Sequence, residues 1–133
     1  MNEPVEYLDI DDLLALAIDL LGDPPPIRDG GLLASAVARP PATLFGQDAY
    51  PDLWTKAAAL LLSIVKNHPL IDGNKRLGWL ATAVFLDLNG VETTGIDNDE
   101  IFEFVMAVTV GAGDIEQIAG LLRRLATSGP NER

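Results

Sequence analysis

The chain has 133 residues, with twenty Asp or Glu against nine Lys or Arg and a formal net charge of −11. That length fits one domain with its own core, and the acidity argues against nucleic acid or an anionic membrane as a direct partner. The absence of cysteine excludes disulfide scaffolds, zinc–thiolate sites and thiol nucleophiles, and it suits a reducing cytosol. Glu3, Glu6 and Asp9 interrupt any signal-peptide pattern. The longest apolar runs, Ala57 to Val65 and Leu77 to Leu86, are about half the length that spans a bilayer. The expectation is a soluble, cytoplasmic protein whose acidity serves solubility or a basic protein partner.

The pattern is helical nearly throughout. Asp9 reads as the N-cap of a helix with Leu13, Leu14, Leu16, Ala17, Leu20 and Leu21 on its apolar face, ended by Gly22. Asp23-Pro24-Pro25-Pro26 is a rigid connector. Asp29 opens a short helix through Leu32, Leu33, Ala36 and Val37, which Pro40-Pro41 stops. Thr43 to Asp52 shows no period and reads as a loop. From Leu53 to about Asn67 the sequence is apolar almost all round, which predicts a helix with neighbours on most sides. A second such helix runs from about Asn74 to Asn89, closed by Gly90. Asp97 with Glu100 reads as a capping box for a helix to Val110, broken by Gly111 and Gly113. Asp114 with Gln117 repeats that pattern for a last helix ending near Ala126, with Arg123 and Arg124 at its C-terminal end. The fold class is all-α, a bundle of about six helices forming one domain over 1–133, with 128–133 as a frayed tail. Trp54, Trp79, Phe85, Phe102 and Phe104 read as core aromatics.

Between the two most apolar helices lies His68-Pro69-Leu70-Ile71-Asp72-Gly73-Asn74-Lys75-Arg76. A plain link needs a stop and a cap. This one gathers the chain's single histidine, a carboxylate, a glycine, an amide and two adjacent cations. With Lys66 counted, three of the nine basic residues fall in eleven positions that hold one acid. Lys75 and Arg76 fall in the first turn of a helix, where the macrodipole is already positive and each exposed cation costs roughly 0.3–1 kcal/mol. That placement makes sense if an anion binds. Gly73 lets backbone N–H groups approach phosphate oxygens, and Asn74 adds a donor or a cap. Mg²⁺ commonly takes one or two protein carboxylates plus substrate phosphates, so Asp72 alone can suffice. An imidazole is the natural base for a hydroxyl near neutral pH, and a positioned base contributes roughly 10²–10⁴-fold.

Each residue also has a plain structural reading: a packed His68, a capping Asp72, a turn at Gly73, and Lys75 and Arg76 as solvated charges. The combination in nine positions is what points to chemistry. No Gly-x-x-x-x-Gly-Lys-Ser/Thr loop and no Gly-x-Gly-x-x-Gly turn is present. Asp97-Asn98-Asp99-Glu100 lacks the glycine and distant Glu of a calcium loop.

The nine residues closely resemble the signature of the Fic/Doc superfamily, and Lys75 in place of a second glycine resembles its death-on-curing (Doc) branch. Gly31 to Pro40, Tyr50 to Ala58 and Phe85 to Val91 extend the likeness over nearly the whole chain. The resemblance implies that His68 activates a target hydroxyl and Asp72 holds Mg²⁺. It implies that Gly73 and Asn74 form the anion-binding turn, and that Lys75 and Arg76 grip the phosphates of ATP. It further implies the toxin of a toxin–antitoxin pair, a kinase that moves a γ-phosphate to a Ser or Thr hydroxyl of a translation factor such as elongation factor Tu. Such a toxin is silenced by an antitoxin protein. The alternatives are transfer of AMP from the same site, and a catalytically silent binding module. No inhibitory Ser/Thr-x-x-x-Glu-Gly/Asn helix is seen, so inhibition is expected from another chain. Leu70 stands where the pattern has Phe, Leu77-Gly78 where it has Thr-Ala, and Ala34 where it commonly has Glu. Arg39 could reach the phosphates, though a structural role fits it better.

Overall fold

Aspartates open most of the helices. In a computed structural model describing residues 4–111 and 113–128, Asp9, Asp29, Asp52, Asp97 and Asp114 each accept hydrogen bonds from N–H groups of the turn that follows. Those donors have no partner inside a helix, and an N-cap carboxylate satisfies them. The helices so begun are α1 (Ile10–Leu21), α2 (Gly30–Ala38), α3 (Leu53–Asn67), α5 (Asn98–Thr109) and α6 (Ile115–Thr127). Asp9 and Asp114 make reciprocal capping boxes with Asp12 and Gln117. The remaining helix, α4 (Asn74–Leu88), starts at Gly73 with no side-chain cap.

The described residues thus form the all-α arrangement of six helices expected from the periodicity. The one addition is a hairpin, β1 (Thr43–Leu44) paired antiparallel with β2 (Gln47–Asp48) in the register Thr43↔Asp48. Two-residue exposed strands leave no alternation to read, so the segment looks like a loop in sequence. Ser128 follows α6 with its N–H on Arg124 O; the rest of the expected frayed tail, 129–133, lies outside the described residues.

Helix α3 is the centre. It packs on α2, α4, α5 and α6, and every residue from Thr55 to Leu61 is buried. One of these is Lys56, whose ammonium is 2.9 Å from Asp48 Oδ2 and also donates to Tyr50 O. Ions are buried only when paired, so this contact ties the hairpin to the core. Arg39 is likewise structural, donating to Tyr50 Oη at 2.7 Å and Ser63 Oγ at 3.1 Å.

Helices α3 and α4 approach closely at Gly78, where a Cβ would stand 2.9 Å from Val65 Cγ2. The departure Leu77-Gly78 therefore serves packing: Leu77 is fully buried and Gly78 admits α3. Phe85 and Phe104 are buried, and Trp54 and Trp79 pack against the core. Phe102 does not join them; it is 65% exposed on the outer side of α5. No helix among the described residues is long and apolar enough to cross a membrane.

Candidate active site

Helix α3 stops at Asn67 because His68 turns left-handed, with φ 55° and ψ 61°. That region costs a non-glycine residue roughly 1–2 kcal/mol, so the surroundings must hold it. They do so on both sides. The His68 N–H stays on Ile64 O at 3.3 Å, and Arg28 Nε donates to His68 O at 2.6 Å. Arg28 Nη2 donates to Asn67 O at 2.7 Å, a favourable place for a cation at the negative end of a helix.

The loop beyond is sewn to the segment before α2. Arg28 N and Asp29 N both donate to Pro69 O, at 2.8 and 3.0 Å, and Ile71 N donates to Pro26 O at 2.8 Å. Ile27 and Leu70 form an isolated antiparallel bridge. Leu70 is buried at 1% exposure, so it anchors the loop in the core as the usual Phe would. Asn74 Oδ1 accepts from Leu70 N at 2.9 Å and Asn74 Nδ2 donates to Leu70 O at 2.9 Å. The Asn74 side chain thus fixes the loop and does not cap α4, with one of its two amide N–H groups engaged by Leu70 O.

Gly73 has φ +91°, and a Cβ there would meet Leu21 Cδ2 at 2.8 Å. The backbone angle favours glycine, and an added Cβ would also displace the Leu21 side chain of α1. Asp72 Oδ1 accepts from Gly73 N at 2.9 Å, so this carboxylate caps its own turn and leaves the N-terminus of α4 open.

A pocket of about 270 Å³ collects all six residues singled out in the sequence, His68, Asp72, Gly73, Asn74, Lys75 and Arg76, with Val65, Ile71 and Thr109 completing its wall. His68, Asp72, Lys75 and Arg76 are exposed at its surface. Among the described residues neither Lys75 nor Arg76 has a carboxylate partner; the ion pair found there is Lys56–Asp48. The first turn of α4 carries no acid, whereas those of α1, α5 and α6 do. An uncapped helix start with two unpaired cations is electrostatically suited to an anion. Lys66, counted with this basic spot from the sequence, donates its ammonium to the carbonyl of Thr109, a residue of the pocket wall, at 3.0 Å and closes α5.

Trp79 does not line this pocket. It lies edge-on to Phe104, with centroids 6.4 Å apart, on an adjoining apolar groove that shares Lys75 and Arg76. A larger cleft of about 890 Å³ is lined by Asp48, Asp52, Lys56 and Asp87. These are committed to structure: Lys56 to Asp48, Asp52 to the cap of α3, Asp87 to Thr93. Arg28, Leu21 and Thr109 were not foreseen. They come from elements distant in the chain, and no local pattern marks them.

The Fic/DOC family profile matches residues 7–86, which include the whole loop. The chain is 45% identical to Toxin Doc of Mycolicibacterium smegmatis (strain ATCC 700084 / mc(2)155) over 124 residues, 92% of this chain and 95% of that protein. On the sequence match and on the loop it encloses, the chain belongs to the Fic/DOC family.

Proposed function

We propose that this protein is the toxin of a toxin–antitoxin pair and acts as a protein kinase. It transfers the γ-phosphate of ATP to a Ser or Thr hydroxyl of a translation factor such as elongation factor Tu. The observation that carries the reading is the start of α4, left without a side-chain cap and bearing two unpaired cations over the pocket that holds His68 and Asp72. Membership of the Fic/DOC family and the likeness to a protein named as a toxin support the rest.

In this reading Lys75, Arg76 and the first N–H groups of α4 bind the nucleotide phosphates. His68 takes the proton of the target hydroxyl as its oxygen attacks the γ-phosphorus. The bond from that phosphorus to the β–γ bridging oxygen breaks, and ADP leaves. Lys75 selects the pose that presents the γ-phosphate. Asp72 fits Mg²⁺ in a limited way: Oδ1 is engaged by Gly73 N, Oδ2 has no protein partner, and no cluster of three ligating side chains exists among the described residues. One carboxylate suits a cation whose other ligands are phosphate oxygens and water. Bound there, Mg²⁺ would neutralise charge on the phosphates.

The whole chain, 1–133, is read as one Doc-like unit working in the cytoplasm and silenced by a separate antitoxin protein. The test is label transfer to elongation factor Tu with Mg²⁺, using α- and γ-labelled ATP, with His68→Ala as control. Label from the γ position, lost in the variant, is expected. Label from the α position would assign AMP transfer. No label on this factor or on any protein of a whole lysate would favour a silent binding module.

A further inference from the structure

We infer that Arg28 is a positioning residue for the reaction, aiming the His68 imidazole by fixing both peptide planes that flank it; the inference rests on the reading of His68 as the base. Three consecutive carbonyls, that of Asn67 at the end of α3 and those of His68 and Pro69 in the loop, are held by Arg28 and Asp29. Arg28 Nη2 takes Asn67 O at 2.7 Å and Nε takes His68 O at 2.6 Å, while the N–H groups of both residues take Pro69 O. On the other side, the His68 N–H is tied to Ile64 O.

The two dihedral angles of His68 are thereby set from outside the residue. This matters because its side chain is exposed and takes no hydrogen bond from the described protein. With little packing around the ring, the direction of the Cα–Cβ bond decides where the imidazole can reach. The left-handed conformation is unfavourable for histidine by itself, so a released backbone would relax toward the ordinary regions and carry the ring away from the pocket. A simple helix cap needs a donor at the last helical carbonyls. Here the guanidinium also takes the carbonyl of His68 itself, beyond the end of α3.

The chain has a single histidine, so imidazole NMR signals report on His68 without assignment. The experiment compares wild type, Arg28→Ala, Arg28→Lys and the surface control Arg123→Ala, each checked for folding by circular dichroism. Imidazole spectra are recorded, and transfer from γ-labelled ATP is measured in whole bacterial lysate. In Arg28→Ala the ring cross-peaks move and broaden. The transfer kcat falls about 10- to 100-fold, in keeping with a misplacement of around an ångström, while KM for ATP stays within about twofold. Arg28→Lys, with its charge and one donor group, recovers part of both signals, and Arg123→Ala changes neither. Should the alanine variant not fold, Arg28→Gln, which keeps one donor, carries the same expectation. A folded Arg28→Ala with wild-type ring signals and wild-type kcat overturns the inference and leaves the kinase reading intact. If the wild type transfers no label, the kinase reading falls, and the ring signals alone decide whether Arg28 orients His68.

Discussion

Asn74 holds Leu70 by both of its backbone polar groups, N–H and C=O, each at 2.9 Å. The same device recurs at the other end of α4, where Asn89 takes Glu6 N at 2.9 Å and gives to Glu6 O at 2.8 Å. One helix therefore fastens two extended segments, and the first of these is the loop that carries His68 and Asp72. Asn74→Ala removes two hydrogen bonds from a residue that is 1% exposed. Leaving buried donors or acceptors unpaired costs about 1–3 kcal/mol each. Denaturant unfolding of Asn74→Ala should show a loss of that order, with transfer activity falling further than stability does.

Gly78 lies inside a helix, where alanine is ordinarily better by about 1 kcal/mol. Here the sign reverses. The added Cβ would stand 2.9 Å from Val65 Cγ2 and 3.2 Å from Leu61 Cδ1, and overpacking costs typically 1–3 kcal/mol. Gly78→Ala should lower the thermal midpoint. Combining it with Val65→Ala should give less than the sum of the two losses, the signature of a shared clash.

Gly73→Ala meets two separate obstacles, the angle of +91° and the Leu21 side chain at 2.8 Å. Leu21→Ala in the same chain relieves the second and leaves the first, which alone costs roughly 1–2 kcal/mol. The double variant should therefore bind ATP better than Gly73→Ala but below wild type, measured by calorimetric titration.

Lys56 and Asp48 form an unequal pair, 2% and 53% exposed. Lys56→Ala leaves a cavity beneath the hairpin and strips Tyr50 O of its partner, so a loss of about 2–5 kcal/mol is expected. Asp48→Asn leaves the buried ammonium bonded to Tyr50 O but without its countercharge, and should cost roughly 1–3 kcal/mol. Chemical denaturation of the two variants gives the comparison.

Much of this fold is legible because its signals are local. Asp9, Asp29 and Asp114 announce helix starts within three residues of themselves, and the all-round apolar run of α3 marks a central helix with bounds at Leu53 and Asn67. The six residues of the candidate site are also neighbours in sequence, and they remain together in the pocket. What stays hidden depends on partners far along the chain. Arg28 meets His68 from 40 positions away, and Lys66 closes α5 from 43 positions away. Phe102 sits in the apolar run Ile101 to Val108 broken by Glu103, where composition alone does not say which side faces the core. The role of Asn74 needed the loop's curvature, which brings Leu70 back over the start of α4.

The central claim is tested most directly by the chemical identity of the group left on the target hydroxyl, read by mass spectrometry after incubation with ATP and Mg²⁺. Wild type is compared with His68→Ala and Lys75→Gly. A phosphoryl group from wild type, none from His68→Ala, and nucleotidyl transfer gained in Lys75→Gly is the predicted result. A nucleotidyl group from the wild-type protein, or a phosphoryl group undiminished in His68→Ala, would contradict the account.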